Sequence, residues 1–184
     1  SDAQDFYDNA TVFDRAFQYD FANLLSKERF TNMINLYDDE GGTEEIDEVR
    51  EALFNCYGTL TDAFEFYSVM GKGFVQSHVI DIVAFSQFVK DCDIADTNTC
   101  KEQDTVNAFE FENAEEVSSD GSNGMNDMND DSALMRFEFL GCVVRLAIIK
   151  YVKSGMVFDV SEAVQLLCEK NIQKHLIRTN HHMS

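Results

Sequence analysis

The sequence predicts an all-α protein on three observations. Apolar residues recur at intervals of three and four through most of the chain, the spacing that gathers them on one face of a helix. Proline is absent, against an average usage of about 5%, so helices can run uninterrupted and turns fall to Gly, Asn, Asp and Ser. Strand-like alternation is confined to short pieces such as Gly73 to Ile80.

The elements follow in order. Phe6, Ala10, Phe13, Phe17, Phe21 and Leu24 form the stripe of one amphipathic helix or a broken pair. Ser26 is placed to cap the next helix, which carries Phe30, Met33, Ile34 and Tyr37, although Arg29 stands where a capping-box glutamate belongs. After the turn at Asp38-Asp-Glu-Gly-Gly, Thr43 is the expected cap of a helix through Ile46, Val49, Leu53 and Tyr57. Gly58 should end it, with Thr59 or Thr61 opening a helix that carries Leu60, Phe64, Tyr67 and Met70. Helical spacing resumes from Val79 to Cys92 and, more weakly, from Asp104 to Val117. Leu134 to Val152 is apolar nearly all round, as a central buried helix should be. Ser154-Gly155 reads as a turn, and a last helix starts near Asp159 or Ser161.

Composition bounds the function. A chain of 184 residues, 45% hydrophobic, can bury one substantial core or two small lobes. A formal net charge of −20 repels phosphate and argues against nucleic acid and anionic membranes as partners. It leaves solubility, attraction for cations and basic protein partners, with a solvated acidic surface as the plain reading. The five cysteines (Cys56, Cys92, Cys100, Cys142 and Cys168) are scattered with no C-x-x-C pair, so zinc and thioredoxin-like chemistry are disfavoured. They read as small core hydrophobes in an intracellular, reducing setting. No signal-peptide pattern opens the chain, and the longest apolar run is broken by Arg136, Glu138, Arg145 and Lys150, short of the roughly 18 residues of a membrane span.

The one segment with ligand chemistry is Asp127 to Glu138, DMNDDSALMRFE. Counted as a twelve-residue calcium loop, it puts Asp127, Asn129 and Asp131 at positions 1, 3 and 5, Leu134 at position 8 and Glu138 at position 12. Those are hard oxygens, and Glu138 could give two. Against it, Ser132 replaces the position-6 glycine, at a cost of about 1 kcal/mol. Glu138 also suits the first turn of a helix without any metal.

Three further loops align by the apolar residue at position 8, which in such pairs makes a two-residue β contact with the neighbouring loop. With Ile46 at position 8, position 12 is Arg50. With Ile80 there, Asp81 is the loop's one carboxylate. With Phe158 there, Glu162 falls at position 12 but Tyr151 at position 1. All three are empty of a ligand set.

Four segments carry a family resemblance. Val83-Ala-Phe-Ser-Gln-Phe-Val-Lys-Asp-Cys-Asp-Ile, preceded by Phe64-Glu-Phe-Tyr, resembles the degenerate, calmodulin-like tandem EF-hand modules of ciliary, flagellar and cytoskeletal proteins, many from protists. Ala133-Leu-Met-Arg-Phe-Glu-Phe-Leu-Gly-Cys-Val-Val-Arg-Leu-Ala-Ile-Ile-Lys-Tyr and the closing Ala163 to His175 are similar to the later helices of those modules. Gly141 departs from the pattern's glutamate and should soften the helix by up to about 1 kcal/mol. The resemblance covers roughly residues 30–175. It implies EF-hand-like helix-loop-helix pairs in two packed lobes, and a non-enzymatic role in microtubule-based assemblies, in the cytoplasm or a cilium, with calcium binding often lost.

The expected organisation is an N-terminal amphipathic segment 1–28, a first pair 29–98, a second pair 99–176 with a mobile acidic insertion 118–131, and a flexible tail 177–184. His175, His181 and His182, near the C-terminal end, are read as part of a tail rather than a ligand cluster, and His78 as a lone loop residue. No nucleophile elbow, P-loop or H-E-x-x-H occurs, so an enzyme is not expected. Lys170, Lys174 and Arg178 make the C-terminal helix end basic, which suits its dipole or an acidic partner surface. Two function classes stay open: a calcium-independent scaffold with no cofactor, and a calcium sensor that uses Asp127, Asn129, Asp131 and Glu138 to expose a groove for a partner helix.

Overall fold

The computed structural model describes residues 2–38, 43–70, 78–114 and 133–183. These are mostly helical, as expected. The elements are α1 (Asp2–Leu25), α2 (Glu28–Asn35), α3 (Glu44–Asn55), α4 (Tyr57–Met70), β1 (Ile80–Asp81), α5 (Ile82–Asp91), α6 (Glu102–Asn113), β2 (Ala133–Leu134), α7 (Arg136–Ala147), α8 (Val160–Leu166) and α9 (Lys174–Met183). A π turn, Ile148–Val152, extends α7, and a second, Leu167–Gln173, joins α8 to α9.

The N-terminal stripe forms one helix rather than a broken pair. Phe17, Phe21 and Leu24 are buried, and α1 packs on α7. Its aromatic edges meet those of its neighbours: Phe13 and Phe17 against Phe54 and Tyr57, Phe21 against Phe30. Each such ring contributes about 1.5–3 kcal/mol when fully buried.

Local expectations at two helix ends are corrected. Ser26 does not cap α2, because its hydroxyl donates back to the Asn23 carbonyl at 2.6 Å, and the cap position falls on Lys27. Arg29 is not a failed capping residue either. Its guanidinium donates to the carbonyls of Ala114 and, at 2.9 Å, Glu112, which satisfies the C-terminal end of α6 from outside. Gly58 does not end α3. The break comes at Cys56, whose backbone leaves the helical region (φ −113°, ψ 14°), and Gly58 lies inside the first turn of α4. The reason is tertiary: the break turns Tyr57 into the core beside α1. Thr43 does occupy the cap position of α3, yet makes no side-chain cap bond, and Glu44, Glu45 and Asp47 complement the helix N-terminus instead.

Of the four residues aligned for β contact, two make it. Ile80 pairs with Leu134 and Asp81 with Ala133 in an antiparallel two-stranded ladder. Both Ile80 and Leu134 are fully buried. Ile46 instead belongs to the first turn of α3, and Phe158 is exposed just before α8. There α3 and α8 pack side by side, and the buried Glu45 carboxylate accepts the Ser161 N–H at 3.0 Å across the contact.

The central helix is as buried as its composition demands. Phe139, Leu140, Cys142, Val143, Val144, Leu146 and Ala147 of α7 are all in the core, which runs continuously from α1 to Ile172. The strand pair therefore ties segment 29–98 to segment 99–176 within a single buried cluster. Gly155 takes a positive φ of 81° in the expected turn before α8. The last helix runs on to Met183, through positions expected to form a tail. The insertion 118–131 lies outside the described residues.

Candidate functional site

The loop read as a calcium site is described only at its end. Asp127, Asn129 and Asp131 lie outside the described residues. Leu134 is buried in the ladder, and Glu138 stands in the first turn of α7 as expected. Its Oε1 accepts the Met135 N–H at 2.8 Å, closing the start of the helix. Burial raises the Glu138 carboxyl above its ordinary range. The Met135 N–H and the charges of Arg29 and Lys27 oppose that shift, and Glu112 adds to it. The facing loop ends in an analogous way, with Asp81 Oδ1 accepting the Ala84 N–H at 2.8 Å at the start of α5. Among the described residues, no cluster of three or more His, Cys, Asp and Glu side chains is arranged to hold a metal ion.

Three charged pairs that sequence reasoning did not single out converge on α7 and its π extension. Arg136 closes on the buried Asp20 of α1, with Nε to Oδ2 at 2.6 Å and Nη2 to Oδ1 at 3.2 Å. The Tyr57 hydroxyl donates to the same Oδ2. Burial and the adjoining Asp20 push the Tyr57 phenol well up, so at neutral pH it is a donor and not a base. Arg136 is raised in turn by its bond to Asp20. This trio floors a cleft of about 740 Å³ between α1, α4 and the start of α7, with Phe13, Phe64, His78 and Met135 among its walls.

The second pair is Glu112 with Arg145. Both Nε and Nη2 of Arg145 donate to Glu112 Oε1, at 3.2 and 3.0 Å, and the guanidinium lies 4.0 Å from the Phe111 ring centre. Glu112 is almost wholly buried. Gly141 is what admits it: a β-carbon there would stand 2.7 Å from Glu112 Oε2 and 3.3 Å from Leu24. The glycine read as a weak point in α7 is thus the space for a buried carboxylate.

The third pair is a latch. Asp96, in the α5–α6 link, accepts from the backbone N–H groups of Asn98 and Cys100 and from Thr99, and Lys150 Nζ reaches its Oδ2 at 2.7 Å. Lys150 also donates to the Ile94 carbonyl at 3.0 Å. Burial alone would raise Asp96, but Lys150 and the donors of the turn outweigh it and hold the carboxyl well below the usual range. Beside this latch runs an open groove of about 1020 Å³ between α5 and α6, lined by Ile82, Val83 and Val89 together with Lys90, Lys101 and Glu102.

His175, expected in a tail, packs instead beside Tyr67, whose hydroxyl lies 3.3 Å from its Nε2 and donates to Asp91 at 2.8 Å. The buried Asp20 and Glu112 and the half-buried Asp96 are hard to find in sequence because they look like any other acids in a chain with 34 Asp and Glu. The one available signal was position: Asp20 falls on the apolar stripe of α1 between Phe17 and Phe21. Comparison with family models, with curated proteins and with solved structures returned no match. No helix among the described residues is long and apolar enough to cross a membrane.

Proposed function

We propose that this chain is an EF-hand-like scaffold module, non-catalytic and calcium-independent, which holds other proteins in a cytoskeletal or ciliary assembly. The observation that carries the reading is the Ile80–Leu134 pairing. It joins the loop between α4 and α5 to the region between α6 and α7, at the residue aligned as position 8 in each, which is where paired EF-hands meet. The chemistry at the described loop ends supports the calcium-independent part. Asp81 and Glu138, the carboxylates at the described ends of the two segments, are engaged as helix caps. The groove between α5 and α6 and the cleft above Asp20 supply concave, partly apolar surfaces of the kind partner helices use.

A second reading is a calcium sensor acting through residues 127–138. It is favoured by the placement of Glu138 at the start of α7, where a bidentate ligand would sit. Isothermal titration with Ca²⁺, on the parent chain and Glu138→Gln, separates the two. Micromolar binding lost in the variant would overturn the scaffold reading, whereas no heat at millimolar Ca²⁺ would remove the sensor. Co-sedimentation with microtubules and axonemal extract, with and without chelator, then tests the partner class. Failure to sediment under both conditions counts against a cytoskeletal role.

A further inference from the structure

We propose that Cys56 and Cys168 are a paired oxidation site, which a small-molecule disulfide of the oxidised-glutathione class converts into an intramolecular bond. The bond would tie the α3–α4 break to the π turn Leu167–Gln173. The two residues are 112 positions apart in sequence, yet their sulfurs lie 2.8 Å apart as free thiols. A disulfide bond is about 2.05 Å long, so less than about 1 Å separates the contact from the bond. Both cysteines sit where regular α-helical hydrogen bonding gives way: Cys56 at the non-helical residue between α3 and α4, Cys168 in the π segment that continues α8 and against which α4 packs. Such places absorb a small shift more readily than the middle of a regular helix.

Access makes the pair selective. Cys56 is half-buried, and the other four cysteines are buried. Burial pushes the thiols of Cys92 and Cys100 up to about 12 and about 11, and Cys142 points its Sγ at the Ala108 carbonyl in the core. Contact with Cys56, together with burial, raises Cys168, so the accessible Cys56 is the first nucleophile. As a thiolate, having lost its proton to solvent, Cys56 attacks one sulfur of the oxidant and expels the first small thiolate, leaving a mixed disulfide. Cys168 then loses its proton, attacks Cys56 Sγ and expels the second small thiolate. Two protein thiols are oxidised by two electrons, the oxidant is reduced to two thiols, and the two protons released end on them.

The bond would close a loop of more than a hundred residues and constrain the unfolded chain accordingly. The thermal midpoint should then rise by about 10 °C. The test incubates the folded full chain with oxidised glutathione, blocks residual thiols by alkylation, and maps peptides by mass spectrometry before and after reduction. The expected result is a Cys56–Cys168 cross-linked peptide, with Cys92, Cys100 and Cys142 unmodified. Cys168→Ala should instead stop at the mixed disulfide on Cys56. Glutathione retained on Cys56 of the parent chain, a cross-link through another cysteine, or no reaction at all would each overturn the proposal. The thermal midpoint of the reduced Cys168→Ala chain shows whether that variant folds, and the parent-chain peptide map decides the matter if it does not.

Discussion

Replacing Gly141 with alanine sets helix propensity against the packing of a buried ion pair. Alanine in a helix interior is favoured over glycine by about 1 kcal/mol, so a helix considered alone predicts stabilisation. In the fold the new β-carbon would meet Glu112 Oε2 at 2.7 Å and its carboxyl carbon at 3.0 Å. Glutamate is flexible, but this one has little freedom. Its other oxygen is held by two donors of Arg145 and its side chain is 3% exposed, while Leu24 Cδ2, 3.3 Å from the new β-carbon, limits how far that carbon can move away. Outright loss of a partner from a buried pair costs about 3–5 kcal/mol, and a displaced carboxylate forfeits part of that. Gly141→Ala should therefore destabilise the protein by a net ~1–3 kcal/mol. For a chain of this size that lowers the thermal midpoint by roughly 3–10 °C. Urea denaturation followed by circular dichroism measures it. The control is a double-mutant cycle with Glu112→Ala, in whose background the same alanine should be neutral or stabilising. Stabilisation of the parent by Gly141→Ala, or additivity of the two substitutions within about 0.5 kcal/mol, would refute the account.

Tyr57→Phe removes a donor from Asp20 while keeping the ring in its aromatic cluster. It should cost about 1.5–3 kcal/mol, as expected for a hydrogen bond to a charged group, and an unchanged denaturation midpoint would show that Arg136 alone satisfies Asp20. The pH dependence of stability should have two arms. Burial raises Glu45 and Glu138 above the ordinary value. Their contribution is full below about pH 4.3 and declines as pH rises through their folded values. Asp96 is held low, so its contribution is present above about pH 3.9 and lost as pH falls toward its folded value. The melting temperature should therefore peak at mildly acidic pH, with Asp96→Asn flattening the acid arm and Glu45→Gln the neutral one. A melting temperature that climbs steadily to pH 8 would contradict this assignment.

The helices themselves were legible because their signal is local and repeated. The stripe of α1, the all-round apolar surface of α7 and the turn at Gly155 follow from spacing and residue type. Counting each segment against a twelve-residue calcium loop sets Ile80 and Leu134 at equivalent positions, and these two residues meet. The errors came where a side chain had two uses. Ser26 could cap forward or bond backward, and Arg29 could stay on its own helix or reach α6. Gly58 could stop a helix or start one. Propensity does not separate such choices, since each differs by about 1 kcal/mol locally and a distant contact can exceed that.

The sequence by itself determined that this chain is helical, that its surface is strongly acidic and that α7 lies at its centre, because burial pattern and charge are sums over many residues. Only the tertiary structure decided which few of the acids are buried and what neutralises them. The buried Asp20 and Glu112 find Arg136 and Arg145 across 116 and 33 residues of chain, and the half-buried Asp96 finds Lys150 across 54. A buried charge is tolerated where an opposite charge and hydrogen-bond donors are fixed beside it. Those partners are brought together by packing, which no spacing along the chain records.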